Sequence, residues 1–387
     1  MQIEFSHRIK SLPLYLFAEL DKKIAEKKKE GKEIISFGVG DPDLPTPEHI
    51  VKACCEAAKK PENHRYPSYE GMLEFREAVA ERCKRDYGLS LDPEREIIAL
   101  IGSKEGIHNF PFAFVNPGDY VLYPDPGYPV YKTSAIFACA KPYAMPLKKE
   151  NNFLPDLDKI PSEVARKAKI MWINYPNNPT SAIATKDFYR EVIDFAQDYN
   201  IIVASDEAYS KMTFDDYKAP SFLEVEGAYE VGIVFDSLSK TYNMTGWRIA
   251  YAFGNEKIVN GLKKVKTNVD SGVSQIIQEA AIVALTSSQD CIRETLKIYQ
   301  TRRDLLYSGL RELGLKCEKP KATFYLWVEV PEGKGSIEFA TELLDKAGVV
   351  CTPGVGFGEH GEGFVRFALT QNEEKIKKAL KKMREVM

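Results

Sequence analysis

No two of the seven cysteines (54, 55, 83, 139, 291, 317 and 351) are spaced C-x-x-C, so the usual zinc and thiol-redox motifs are missing. A chain of 387 residues also needs no disulfide staples to hold its core. The five histidines (7, 49, 64, 108 and 360) form no H-E-x-x-H, and no metal is expected. Long apolar runs are absent, and nothing at the start reads as a basic segment followed by an apolar one. The expectation is therefore no membrane span, no secretion and a reduced, cytoplasmic setting. Charge of one sign is lacking too: 53 basic against 56 acidic residues give −3, with no long block of either. That argues against nucleic acid and membrane surfaces as partners.

What is present is the composition of a globular enzyme, 44% hydrophobic and 28% charged, with room for more than one domain. After a proline-marked arm at residues 11–15, Leu16 to Lys29 has helical charge spacing. Gly38-Val39-Gly40 is not a dinucleotide fingerprint, because it lacks a third glycine and Pro42, Pro45 and Pro47 follow where a helix would open. Helical segments are predicted at Glu48 to Lys60 and Met72 to Tyr87. Short apolar runs then follow at Ile97–Ile101, Tyr120–Tyr123, Ile170–Asn174, Ile201–Ser205, Val231–Phe235 and Trp247–Phe253, several of them separated by helices such as Lys186 to Tyr199. This pattern predicts an α/β fold: a large domain with a mostly parallel sheet flanked by helices, its ligand sites outside the carboxyl ends of the strands. The last third, with one long helical stretch from Ser274 to about Leu313 and strands near 324–330 and 364–369, reads as a smaller α+β domain. The expected division is 1–44 as arm and part of the small domain, 45–285 as the large domain and 286–387 as the small C-terminal domain.

Four predicted strand ends carry different polar groups. Gly102-Ser103-Lys104-Glu105-Gly106 opens a helix, whose free N–H groups suit a phosphate. Tyr175-Pro176-Asn177-Asn178-Pro179 is a turn that presents an amide. Asp206-Glu207-Ala208-Tyr209 offers a carboxylate and a phenol, and Ser237-Leu238-Ser239-Lys240 an amine with Arg248 eight positions on. Each alone reads as a helix cap, a turn or a solvated loop. Together they match the needs of pyridoxal 5′-phosphate. Lys240 would carry the cofactor, Asp206 would pair with its ring nitrogen, and Asn178 and Tyr209 would bond its ring oxygen. The Ser103 turn, Ser237 and Arg248 would hold the phosphate. In that chemistry the Lys240 amine also moves the proton at the substrate Cα, as general base and then acid.

The segments Asn174–Thr180, Ser205–Tyr209 and Ser237–Arg248 resemble the signature of the class I aminotransferases, the fold-type-I vitamin B6 enzymes, in order and spacing from Gly40 to Arg366. The resemblance implies that Tyr128 stacks on the cofactor ring, that Arg366 grips the substrate α-carboxylate, and that Tyr66 reaches the phosphate of a neighbouring subunit in a homodimer. The substrates it implies are an amino acid and a 2-oxo acid. The N-terminal segment with Tyr15, and the run Gly38 to Pro42, resemble most the LL-diaminopimelate aminotransferases of lysine biosynthesis. That likeness implies substrate contacts from Tyr15, Gly40, Lys104 and Asn178, with Lys104 also beside the cofactor. Tyr69 departs from it, standing where better-known members carry glutamate, with Glu70 one position on. A broader aspartate, alanine or aromatic aminotransferase stays open as the alternative, as does a C–S β-lyase on the same fold. The S-x-x-K motif also fits serine acyl-enzymes, but their S-D-N and K-T-G companions are missing. A catalytically silent, cofactor-binding regulator is disfavoured by the absence of an appended basic domain.

Overall fold

A computed structural model describes residues 3–12 and 17–387, with backbone alone at 17–21. Among the described residues the strands are β1 (Ile35–Ser36), β2 (Ile97–Leu100), β3 (Tyr120–Asp125), β4 (Lys141–Pro146), β5 (Ala168–Asn174) and β6 (Ile202–Asp206). They continue as β7 (Gly232–Ser237), β8 (Ala250–Gly254), β9 (Tyr325–Glu329), β10 (Val349–Val350), β11 (Thr352–Pro353) and β12 (Phe364–Ala368). Seven form one sheet in the order β2-β8-β7-β6-β5-β3-β4. Neighbours in it are parallel except β8, which runs against both β2 and β7. The α/β expectation of a mostly parallel sheet holds.

Both faces of this sheet are covered, which is why its strands read as continuous apolar runs. The helices Glu48–Ala57, Leu73–Tyr87, Lys186–Tyr199 and Gln275–Thr286 pack on one face with Phe75, Val79, Val192 and Tyr251. The helices Ser103–Asn109, Val130–Phe137 and Glu256–Lys266 cover the other, over Phe110, Trp172 and Phe235. Lys186–Tyr199 shows the local logic. Thr185 Oγ1 accepts the Phe188 N–H at 3.2 Å and so starts the helix. Phe188, Tyr189, Val192, Ile193 and Ala196 then fall on one buried stripe, and Asn200 ends the helix at φ 54°.

The C-terminal region makes a second core around an antiparallel sheet, β11-β12-β9, under the helices Asp290–Glu312 and Glu373–Arg384. The N-terminal segment joins it: β1 pairs in parallel with β10, Ile35 opposite Val349. Arg302 grips Asp43 through two bonds of 2.7 and 3.0 Å, and Arg303 grips Asp215 at 2.6 and 2.9 Å.

Some elements differ from the sequence reading. The stretch from Ser274 breaks after Thr286, where Ser287 turns extended and the Gln289 amide bonds the Ala284 and Ser287 carbonyls at 3.0 and 2.7 Å. Strand β4 was not expected, because Lys-Pro-Tyr-Ala-Met-Pro carries two prolines; it lies at the sheet edge, where missing donors are tolerated. Trp247 belongs to the turn Thr245–Trp247 that precedes β8. Among the described residues no helix is long and apolar enough to cross a membrane.

Candidate active site

The sheet brings four strand ends side by side. Register pairs Asn174 with Asp206 and Asp206 with Phe235, while Leu100 and Ser237 both face Ala250. Because β8 runs backwards, its start lies where the other strands end, and Arg248, two residues ahead of it, reaches that edge. The residues gathered there line a cavity of about 500 Å³ closed from the far side by Tyr325, Thr352, Phe357 and Arg366.

Lys240 sits in the short helix Leu238–Thr241, which Ser237 starts by accepting the Ser239 N–H on Oγ at 3.1 Å. Its Nζ donates to the Gly40 carbonyl at 3.0 Å and lies 5.6 Å from the centre of the Phe324 ring. Burial brings the amine down to about 8; Asp41 opposes the shift, while Arg366 and Arg248 deepen it. Freeing the amine at pH 7 is therefore far less costly than for an ordinary lysine, on the order of 1 kcal/mol against about 5 kcal/mol.

Asp206 is the last residue of β6 and is buried. Strand alternation turns it to the cavity and turns Glu207 to the opposite core, where Glu207 accepts from the Ser205 hydroxyl at 2.9 Å and the Phe222 N–H at 2.8 Å. Burial raises the Asp206 carboxyl to about 6, opposed by a 2.6 Å bond from the Tyr131 hydroxyl and a 3.3 Å bond from the Ala208 N–H. Asn174 locks the neighbouring turn: its Nδ2 donates to the Asp206 carbonyl at 2.7 Å and its Oδ1 accepts the Asn178 N–H at 2.9 Å.

Arg366, on β12, is buried and sandwiched between the rings of Tyr325 and Phe357, its Cζ 4.2 and 4.5 Å from their centres. It donates to Asn178 Oδ1 at 2.7 Å and to the Gly38 carbonyl at 2.9 Å, while its Nε has no partner. Two of its five guanidinium donors make hydrogen bonds within the protein.

Ser103, Ser237, Ser239 and Arg248 also line the cavity. Ser103 Oγ is buried without a partner, and a Cβ on Gly102, which sits at φ 75°, would overlap the Arg248 guanidinium. Gly40 is equally constrained, because a Cβ there would overlap the Tyr325 hydroxyl.

Of the residues singled out in the sequence, Lys240, Asp206, Tyr209, Ser103, Lys104, Tyr128, Asn178, Ser237, Arg248, Gly40 and Arg366 all line this cavity. Lys104 Nζ lies 6.0 Å from the Tyr128 ring centre. Tyr66 is 88% exposed and is not among the residues lining it. Tyr15 lies outside the described residues. Sequence reasoning missed Tyr131, whose only signal is its place on the first helical turn after Tyr128. It missed Tyr325 and Phe357 as well, since both come from the C-terminal region with no motif around them.

Residues 32–383 match the family model for aminotransferase class I and II. The chain is 56% identical to an LL-diaminopimelate aminotransferase from Halothermothrix orenii, over 99% of this chain and 98% of the relative. It is likewise 56% identical to an LL-diaminopimelate aminotransferase from Aquifex aeolicus, over 98% of each. A substrate-bound structure of BacF from Bacillus subtilis superposes with a TM-score of 0.94 at 41% identity, covering 100% of this chain and 98% of the other.

Proposed function

The chain belongs to the class I and II aminotransferases, and from that membership we propose that it moves the amino group of LL-2,6-diaminopimelate to 2-oxoglutarate, giving tetrahydrodipicolinate and glutamate. It is an aminotransferase, with an amino acid and a 2-oxo acid as its substrates. The finer choice rests on the name carried by full-length relatives at 56% identity. Broader aspartate, alanine or aromatic specificity is the outcome that would displace it. A panel of amino donors with 2-oxoglutarate decides: LL-diaminopimelate should give the highest kcat/KM, and a higher value for aspartate, alanine or phenylalanine would overturn the choice. Release of ammonia and pyruvate from a cysteine conjugate would instead indicate a β-lyase.

The family uses pyridoxal 5′-phosphate, and the residues here fit it. The observation that carries the fit is the orphan hydroxyl of Ser103 beside Arg248, together with a desolvated carboxylate, Asp206, that lines the same cavity with no cationic hydrogen-bond partner. In this reading Ser103, Lys104, Ser237 and Arg248 hold the phosphate. Tyr128 would lie on the ring, Asp206 would meet its nitrogen, Asn178 and Tyr209 would meet its oxygen, and Lys240 would hold its aldehyde carbon. When bound, the cofactor supplies an electron sink that stabilises negative charge at the substrate Cα. Lys240 Nζ, already low in proton affinity, is the group that takes the Cα proton and returns it. Arg366 fixes the α-carboxylate with its remaining donors, in a seat where two aromatic faces exclude water and strengthen the pairing. Gly40 lets the backbone approach the same region, while Lys104 and Tyr15 serve the far end of the substrate.

The reading includes a homodimer in which Tyr66, exposed on its own chain, completes the partner's phosphate site. It also includes a cytoplasmic setting, and a small domain of 1–44 and 286–387 beside a large one of 45–285, which the β1–β10 pairing supports.

A further inference from the structure

Tyr325 touches three parts of the site at once. Its hydroxyl lies 2.9 Å from the Tyr209 hydroxyl, its ring lies under the Arg366 guanidinium at 4.2 Å, and its Oη packs on Gly40 so tightly that a Cβ there would overlap it. Ser181 Oγ fixes the strand carrying it by donating to the Tyr325 carbonyl at 2.8 Å. Both phenols are buried, and burial pushes both up, so each keeps its proton at neutral pH.

A pair of phenols shares two protons and one hydrogen bond between them. If Tyr209 donates to Tyr325, its single proton is spent inside the protein. If Tyr325 donates, the Tyr209 proton is free to point elsewhere. Tyr209 and Tyr325 both line the cavity, so the pair leaves one proton for it in either arrangement, but only the second leaves that proton on Tyr209.

We propose that Tyr325 is a positioning residue: its hydroxyl donates to Tyr209 Oη and so commits the Tyr209 proton to the cavity, toward the ring oxygen of the cofactor. The proposal rests on the reading that puts Tyr209 at that oxygen. A donor at the ring oxygen stabilises its negative charge most when the adjoining nitrogen, contributed by Lys240, has lost its proton. Weakening that donor therefore raises the pH at which the nitrogen deprotonates.

The test titrates the visible absorbance of the cofactor-loaded enzyme. Tyr325→Phe keeps the ring under Arg366 and removes only the hydroxyl. Its midpoint should rise by roughly half to one pH unit, the size expected for loss of one hydrogen bond. Tyr209→Phe should raise it further, and the double variant should titrate like Tyr209→Phe alone, because Tyr325 acts through Tyr209. An unmoved midpoint in Tyr325→Phe, with Tyr209→Phe shifted, would overturn the proposal and leave the site reading intact. Full additivity in the double variant would overturn it too. If Tyr209→Phe itself leaves the midpoint where it was, Tyr209 is not at the ring oxygen, and both readings fall together.

Discussion

At the scale of single residues the site is defined by groups whose proton affinity burial has moved toward neutral pH. Asp206 is the clearest. With its carboxyl raised from 3.8 to about 6 by burial, the folded protein binds more protons than the unfolded chain between those values. Stability from this group is present below pH 3.8 and lost as pH rises through 6, a handicap of about 3 kcal/mol for the cofactor-free protein at pH 7. Asp206→Asn should therefore raise the thermal midpoint of the cofactor-free protein at pH 7 and flatten its pH dependence between 4 and 6. Calorimetry would show this, and a lowered midpoint would contradict the assignment. Lys240→Ala should abolish transamination while the cofactor still binds without being fixed by borohydride; turnover near the native rate would remove Lys240 from the chemistry. Arg366→Lys should raise KM for every amino donor by tenfold or more, about 1.4 kcal/mol, because one ammonium cannot replace a planar fork. Lys240, Asp206 and Arg248 were legible in the sequence because each lies at or beside a strand terminus whose apolar run announces it. Tyr131 and Tyr325 were not, since a tyrosine among apolar residues looks the same whether it fills a core or holds a carboxylate.

At the scale of elements the decisive feature is the reversed strand β8. Its apolar pattern was visible, but pattern carries no direction. The reversal is what delivers Arg248 to the edge where Ser237 and Ser103 lie. The turn before the helix Ser103–Asn109 must then make room for that guanidinium. Gly102 does so at φ 75° and ψ 150°, a region that side chains avoid. Gly102→Ala should weaken cofactor binding about tenfold or more, from strain of roughly 1–3 kcal/mol and displacement of Arg248. Equilibrium dialysis would measure it, and an unchanged dissociation constant would show that Arg248 is free to move. Element boundaries were harder to read than element types. The break after Thr286 depends on the Gln289 amide capturing carbonyls behind it, and β4 depends on an edge position that prolines can occupy.

At the scale of the whole molecule, the proposed homodimer gives a test that single-chain reasoning cannot supply. Tyr66→Ala and Lys240→Ala should each be impaired alone. Unfolded together and refolded, they should form mixed dimers in which one of the two sites is native. Recovered activity should approach roughly a quarter of the native value, since half the dimers are mixed. Activity no greater than that of the parents would show that Tyr66 serves no neighbouring site. The change from a mostly parallel sheet to an antiparallel one was readable from the change in pattern along the chain. That residues 1–44 go with the C-terminal region was expected from the sequence, but the pairing that ties them there was not, because β1 is two residues long and meets β10 more than three hundred positions away.

That return sets the order in which the molecule can be made. The Gly38 carbonyl accepts from Thr352 and from Arg366, across sequence separations of 314 and 328 residues. On a ribosome the first of these partners waits, unsatisfied, while nearly all the rest is synthesised. The strands of the large sheet all precede β9, but the seat around Arg366, proposed for the substrate carboxylate, closes only when the final strand emerges. A nascent chain released before residue 352 would thus leave the Gly38 carbonyl without either of these donors.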